Sequence, residues 1–283
     1  MSADLSQMRD PLGLLRLGYA APLLDVRARH WHDGESEERD ERVAEETPVA
    51  IVYNSVPHVV MMCTPIDLED FALGFSITEE LIRAPDDMRS IQVVRYSQGI
   101  EIQTEVSAEC EATIASRDRR LTGRTGCGIC GADTIAAVLK TLHPVTSRVP
   151  VSGAAIARAM REMCERQPLN AAAGAVHAAG WADADGTVAL VREDVGRHNA
   201  LDKLIGAMLA ARMDASAGFA VVTSRASFEM VQKATVLGAP LLAAISGPTG
   251  LAVRVAQQAG LTLVGFARGG KLTVYTHPDR VIA

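Results

Sequence analysis

Residues 218–245 read Gly-Phe-Ala-Val-Val-Thr-Ser-Arg-Ala-Ser-Phe-Glu-Met-Val-Gln-Lys-Ala-Thr-Val-Leu-Gly-Ala-Pro-Leu-Leu-Ala-Ala-Ile. Within them, Phe219-Ala-Val-Val222 and Leu241-Leu-Ala-Ala-Ile245 are short, unbroken apolar runs. That pattern belongs to strands buried on both faces, since a strand wet on one side alternates polar and apolar residues. A helix over 226–237 lies between them. Strand, helix and strand in this order form the unit of a parallel sheet covered by helices.

The alternation extends both ways. Strands at 174–181 and 187–193, joined by a turn from Asp183 to Gly186, precede a helix over 198–212. A helix over 249–259 and strands at 261–266 and 272–276 follow. Upstream, Ser152 caps a helix to Arg166. Residues 150–283 thus read as an α/β domain with a mixed, largely parallel sheet and flanking helices. The first half has a different character. Val49 to Tyr53 and Val56 to Cys63 are β-rich runs joined by Asn54-Ser55, a hairpin signal. Thr64-Pro65 opens a helix over 66–83, and strands follow at 91–96, 100–106 and near Thr113. Residues 47–120 are a small α+β subdomain, and 121–149 hold a glycine-rich loop with a helix over 133–142. Residues 1–46 lack periodicity and are expected to be a loosely ordered leader.

Formal charge is −6, from 28 basic and 34 acidic residues, so a polyanion such as nucleic acid is a poor bulk partner. The charge is unevenly spread. Residues 33–46 hold eight acids against Arg39 and Arg42, whereas 251–283 hold Arg254, Arg268, Lys271 and Arg280 against Asp279. The start shows no signal-peptide pattern and no window is apolar enough to span a membrane, which makes the cytoplasm the expected compartment. Five cysteines with one close pair do not read as a disulfide framework.

That pair, Cys127 and Cys130, stands among Gly126, Gly128 and Gly131 just before a helix. Glycines leave the sulfurs uncovered, and a helix N-terminus favours the thiolate. Three other readings compete: a structural zinc site, which needs further ligands, a thioredoxin-like dithiol, and a purely structural pair. Cys63, Cys110 and Cys164 lie in apolar contexts and read as small core residues.

Four strands of the second half end in polar, turn-prone stretches: Arg192 to Asn199, Thr223 to Ser227, Ser246 to Gly250, and Phe266 to Lys271. In an open α/β sheet ligands gather at the carboxyl ends of strands, where helix N-termini receive anions. Arg197, His198, Ser224, Arg225 and Ser246 are the candidates on the first three loops. On the fourth, Arg268 and Lys271 flank Gly269-Gly270 as a cationic cradle for phosphate. The ligand is expected to be a sizeable anion such as a nucleotide or dinucleotide. His177, among small apolar residues, reads either as a core histidine or as part of the site; His30 and His32 have no specific role.

Several blocks in this order resemble the FdhD family of formate dehydrogenase accessory proteins. They are Thr125-Gly-Cys-Gly-Ile-Cys-Gly131, Arg192-Glu-Asp-Val-Gly-Arg-His-Asn-Ala-Leu-Asp-Lys203, Ser224-Arg-Ala-Ser-Phe-Glu-Met-Val-Gln-Lys233, Gly265-Phe-Ala-Arg-Gly-Gly-Lys271 and Tyr275-Thr-His-Pro278. Ala72-Leu-Gly-Phe75 and Thr78-Glu79-Glu80 also fit, and the resemblance covers roughly residues 45–281. It implies a sulfurtransferase that accepts sulfur from a cysteine desulfurase as a persulfide on Cys127, with Cys130 auxiliary. The sulfur then passes to the molybdenum of bis-molybdopterin guanine dinucleotide on behalf of formate dehydrogenase. The resemblance places the cofactor on Phe266, Ala267, Arg268, Gly269, Gly270 and Lys271, and implies a homodimer with no structural metal. The second half is also similar to the cytidine deaminase fold. However, His198-Asn-Ala200 stands where zinc chemistry needs His-x-Glu, and Ser224-Arg-Ala-Ser227 where it needs the paired cysteines, so zinc deamination is disfavoured. Two other functions stay open: a cofactor-binding chaperone without sulfur transfer, and a zinc-dependent nucleotide hydrolase.

Overall fold

The central sheet has six strands in the computed structural model, which describes residues 21–118 and 144–283. In chain order they are β8 (His177–Asp183), β9 (Val188–Asp194), β10 (Gly218–Val222), β11 (Leu241–Ala244), β12 (Thr262–Arg268) and β13 (Lys271–Val274). Across the sheet the order is β13-β12-β11-β10-β8-β9. The sheet is mixed, with parallel pairing confined to β10, β11 and β12. β8 and β13 run antiparallel to that centre, and β9, paired antiparallel to β8, runs in the same direction as the centre. The connections explain this: Gly269-Gly270 turns the chain straight back, whereas the parallel strands need the crossover helices α6 (Phe228–Leu237) and α7 (Gly250–Ala259).

Helix α3 (Gly153–Glu165) starts on Ser152, whose Oγ accepts from the Ala155 N–H at 3.0 Å. It covers one face of the sheet, packing Ile156, Ala159 and Met163 on Val221, Ala243 and Val264. Helices α5 (Arg197–Ala210), α6 and α7 cover the other, packing on Ala220, Val222, Leu242 and Leu263. All five residues of β10 are buried, as an unbroken apolar run requires. The strand expected at 174–181 begins only at His177, because Pro168–Ala173 form a short helix, α4, closed by Gly174 at φ 64°.

The second sheet has the order β4-β3-β6-β5, from β3 (Thr47–Tyr53), β4 (Val56–Cys63), β5 (Met88–Tyr96) and β6 (Gly99–Val106). Asn54 and Ser55 both take positive φ, 46° and 67°, the geometry of a tight hairpin turn. Helix α1 (Leu68–Thr78) lies on this sheet and is shorter than the expected 66–83, since the chain turns at Glu80 with φ 54°. The strand expected near Thr113 is instead helix α2 (Ala108–Asp118): Cys110 and Ile114, four apart, enter the core together, which helical and not strand spacing allows.

The leader also differs from expectation. Residues of β1 (Leu23–His32) and β2 (Glu35–Ala44) pair as an antiparallel hairpin about Asp33-Gly34, with φ 49° and 89°. Its acidic strand meets a basic one, Arg27 to Asp40 at 3.0 Å and Arg29 to Glu38 at 2.9 Å. Exposed pairs of this kind add little stability, so the turn and the ten-residue ladder hold the hairpin.

The two sheets are locked together where α1 crosses α5. A Cβ on Gly74 would lie 1.8 Å from the Asp202 carbonyl oxygen, and one on Gly206 would lie 1.9 Å from that of Asp70. Only glycine permits so close a crossing. No described helix is long and apolar enough to cross a membrane.

Candidate functional site at the carboxyl edge of the central sheet

Strands β9, β10, β11 and β12 all end at one edge, and β8 begins there: His177 pairs with Asp194, and Ala179 with Val222. The four polar loops expected from the sequence therefore leave the sheet side by side. They are stitched together by backbone. Ala226 bridges Pro248, Thr249 N–H donates to Ala226 O at 3.1 Å, and Phe266 N–H donates to Ser246 O at 3.2 Å. Thr223 Oγ1 accepts from Ala178 N–H at 2.8 Å, which fixes the start of β8 to the end of β10.

At the α5–α6 end of this edge, His198 Nε2 lies 3.2 Å from Glu229 Oε2, and Ser227 Oγ donates to the same oxygen at 3.0 Å. Burial pushes the Glu229 carboxyl up, but the His198 bond and charge, Ser227 and Arg197 outweigh it and hold the group below its ordinary range. His177 is half-buried and is pushed down by burial first and by Arg197 second, with Asp194 opposing. Arg197 Nε is enclosed without a hydrogen-bond partner among the described residues. Ser224 is buried and turns its hydroxyl to the Arg225 carbonyl at 3.0 Å, while Arg225 itself is exposed.

At the other end stands the β12–β13 tip. Phe266 adopts a left-handed φ of 53° and is exposed, its ring lying over Gly247, where a Cβ would come within 2.8 Å of Cζ. Ala267 is buried, and Arg268, Gly269, Gly270 and Lys271 are exposed. Gly269 and Gly270 take φ of 58° and 75°, with nothing near a hypothetical Cβ, so a ligand can approach the backbone closely. Neither Arg268 nor Lys271 forms an ion pair with another described residue, which leaves both charges free for an anion. Between the tip and α3 lies a cavity of about 270 Å³, also lined by Arg161, Cys164 and Glu165.

Cys164 corrects the core reading of the lone cysteines. It is exposed, because its position in the last turn of α3 faces that cavity, while Cys63 and Cys110 are buried as expected. Burial, then Asp194, pushes the Cys63 thiol up, which makes it inert. Cys127 and Cys130 lie outside the described residues. Among the described residues no three His, Cys, Asp or Glu side chains are arranged to hold a metal ion.

The longest block, Arg192 to Lys203, divides in two. Arg197 and His198 stay at the edge, but Asp194, Asn199, Asp202 and Lys203 turn inward and build the joint between the sheets. Lys203 Nζ sits 2.7 Å from Asp194 Oδ2, both side chains fully buried, and donates to Thr64 O at 3.0 Å. Asp194 accepts from the N–H groups of Thr64 at 3.0 Å and Gly196 at 2.7 Å and from Asn199 Nδ2 at 3.0 Å. A second knot joins Lys233 of α6 to Asp202 at 2.9 Å, and Thr78 of α1 donates to Asp202 at 2.7 Å. Glu193, buried as well, receives the N–H groups of Leu169 and Asn170 at the start of α4 at 3.0 and 2.8 Å. Sequence reasoning missed Glu229 and Arg161. Glu229 lies inside a quoted block, and only its partner, 31 residues away, was hidden.

The profile of the FdhD/NarQ family matches residues 44–282. The sulfur carrier protein FdhD of Xanthomonas axonopodis pv. citri is 54% identical over 253 residues, covering 89% of this chain and 90% of that one. That of Bordetella petrii is 50% identical over 243 residues, covering 86% and 87%. A crystal structure provisionally described as a formate dehydrogenase accessory protein from Desulfotalea psychrophila aligns with a TM-score of 0.73 at 27% identity, over 92% of this chain and 99% of that one. The matched span takes in every element from the last residue of β2 to the C-terminal strand, and with it all four edge loops and both buried knots. On that extent of agreement the chain belongs to the FdhD/NarQ family.

Proposed function

We propose that this chain is a sulfur carrier, a sulfurtransferase that takes a sulfane sulfur from a cysteine desulfurase as a persulfide on Cys127. It hands that sulfur to the molybdenum of bis-molybdopterin guanine dinucleotide, the form of the cofactor that formate dehydrogenase uses, in the cytoplasm. The observation that carries the reading is the likeness to relatives named sulfur carrier proteins, 54% identical across nine-tenths of both chains. In the uptake step the Cys127 thiolate attacks the outer sulfur of the desulfurase persulfide. The donor's sulfur–sulfur bond breaks, its cysteine leaves as thiolate, and no net oxidation occurs. Cys130 is auxiliary.

The acceptor carries phosphates, and the cations along the edge support the reading. Arg268 and Lys271 stand free on a glycine tip, and Arg197, His198, Ser224, Arg225 and Ser246 sit on neighbouring loops. A homodimer supplies two tips for the two guanine nucleotides.

Intact mass after incubation with desulfurase and cysteine tests the reading. One added sulfur is expected on the native chain and on Cys130→Ala, and none on Cys127→Ala. Cells with Cys127→Ala lose formate dehydrogenase activity. Retained activity in that variant would instead identify a chaperone that presents the cofactor without sulfurating it.

A further inference from the structure

We propose that Arg161 and Glu165 of α3 read the base edge of the acceptor's guanine in the cavity behind the β12–β13 tip, with Glu165 as the residue that sets base specificity. This deepens the molybdenum-cofactor reading and rests on it.

Three observations carry the inference. The first is how the cavity is lined. Met160, Ile245 and Leu272 give it apolar surface, and Arg268 and Lys271 belong to the tip that borders it opposite α3. Apolar surface suits a flat heterocycle, and the two cations suit phosphates. At about 270 Å³ the cavity lies just below the range of about 300–1,000 Å³ for pockets that enclose a whole drug-sized ligand. It therefore takes one part of a dinucleotide, such as a base, and leaves the phosphates outside at the tip.

The second is a contrast between two charge pairs on α3. Glu162 and Arg166 stand four residues apart and join at 3.7 Å. Arg161 and Glu165 have the same spacing, at which side chains are neighbours on a helix, yet neither forms an ion pair with the other or with another described residue. Both are exposed and both line the cavity. Order contributes to the difference, since an acid four residues before a base pairs better than the reverse. The outcome is a cation and a carboxylate, one helical turn apart, at the wall of a cavity and unpaired.

The third is the chemistry those two groups select. Glu165 is the one carboxylate lining this cavity among the described residues. A carboxylate opposes phosphate and calls for a ligand group that donates. The edge of guanine runs from O6, an acceptor, to N1–H and the 2-amino group, two adjacent donors. A guanidinium donates to O6, and the two oxygens of a carboxylate accept from N1–H and the amino group. Adenine instead turns the lone pair of N1 towards the carboxylate and is repelled.

The test is calorimetric titration of the full chain with the diphosphates of guanosine, inosine, xanthosine and adenosine. The native chain should bind guanosine diphosphate roughly tenfold more tightly than the other three. Glu165→Gln should lose roughly tenfold for guanosine diphosphate and come to prefer xanthosine diphosphate, because the amide donates to the xanthine O2 while its oxygen still accepts from N1–H. Arg161→Ala should weaken the three bases that carry O6 more than adenine. Equal native affinity for the guanosine and inosine compounds would overturn the inference. So would a Glu165→Gln chain that loses affinity for all four alike, the mark of altered charge or packing and not of base reading.

Cys164 reports independently where the base sits. It lines the same cavity, and its thiol is pushed up by partial burial first and also by the Glu165 charge, against a lowering bond from Gln167. Its alkylation at about pH 8.5, mapped by peptide mass, should slow when guanosine diphosphate is added. An unchanged rate would put the base elsewhere and overturn the inference. If Glu165→Gln fails to fold, the native ranking of the four bases and this protection decide the matter. A native chain that binds none of the four removes the acceptor reading and this inference together, whereas one that binds all four equally removes this inference alone.

Discussion

Basic residues meet opposite fates in two regions of this molecule. At the joint between the sheets, Lys203 and Lys233 are buried and each is held within 3 Å of a carboxylate, at 2.7 and 2.9 Å. At the β12–β13 tip, Arg268 and Lys271 are exposed and border two glycines with nothing packed over them. Both regions come from sequence blocks that look alike in one respect, their content of charged residues. A buried, paired lysine spends its charge on geometry, fixing where β9 ends and α5 begins. An exposed, unpaired one leaves its charge open to any anion that approaches. Burial, which residue type does not reveal, separates scaffold from site.

Breaking the joint should have the largest effect. Lys203→Ala leaves Asp194 buried without its counter-charge, and removing one partner of a buried pair costs about 3–5 kcal/mol. Chemical denaturation should show a loss of that size, with the domain near its limit of stability. A change below about 1 kcal/mol would mean that water reaches Asp194. Next comes the helix crossing. Gly206→Ala would put a methyl group 1.9 Å from the Asp70 carbonyl, so α1 must move away from α5. Overpacking of this kind costs about 1–3 kcal/mol, read as a lower melting temperature. Both variants act on the scaffold, so they should lower nucleotide binding only in proportion to the fraction unfolded.

The same contrast governs how much the sequence discloses. Phe219 to Val222 and Leu241 to Ile245 announce their strands because burial on both faces leaves an unbroken apolar run. The clustering of four polar loops follows from strand direction, which helix-length connections between parallel strands reveal. The β1–β2 hairpin is harder to see, since its residues bury little and show no apolar alternation; Asp33-Gly34 is its one local signal. Helix α2 is short, and among its described side chains Cys110 and Ile114 are the buried ones, too few positions to display a period. At the candidate site, Arg268 and Lys271 are legible as two cations flanking a Gly-Gly turn, because a turn signal and its neighbouring charges are local in sequence. Glu229 is not, because its partner His198 is brought near by two separate helices. Asp194 and Asp202 share a block with Arg197 and His198, yet the fold buries both in the joint, which nothing local in the sequence announces.

The tip gives the smallest effect on stability and the sharpest view of the contrast. Arg268 and Lys271 have no ion pair to lose among the described residues, so Arg268→Ala with Lys271→Ala should change unfolding free energy by no more than about 0.5 kcal/mol. Guanosine diphosphate affinity should nonetheless fall, and the remaining binding should depend less on salt, since exposed charges attract an anion through a screened field. Titrations at low and high ionic strength separate the possibilities. A native chain whose affinity drops with salt, beside a double variant whose affinity barely responds, assigns the attraction to these two side chains. Equal salt dependence in both would move it to other described cations at this edge and its cavity, such as Arg161, Arg197 or Arg225. The tip would then contribute only the close backbone approach that Gly269 and Gly270 allow.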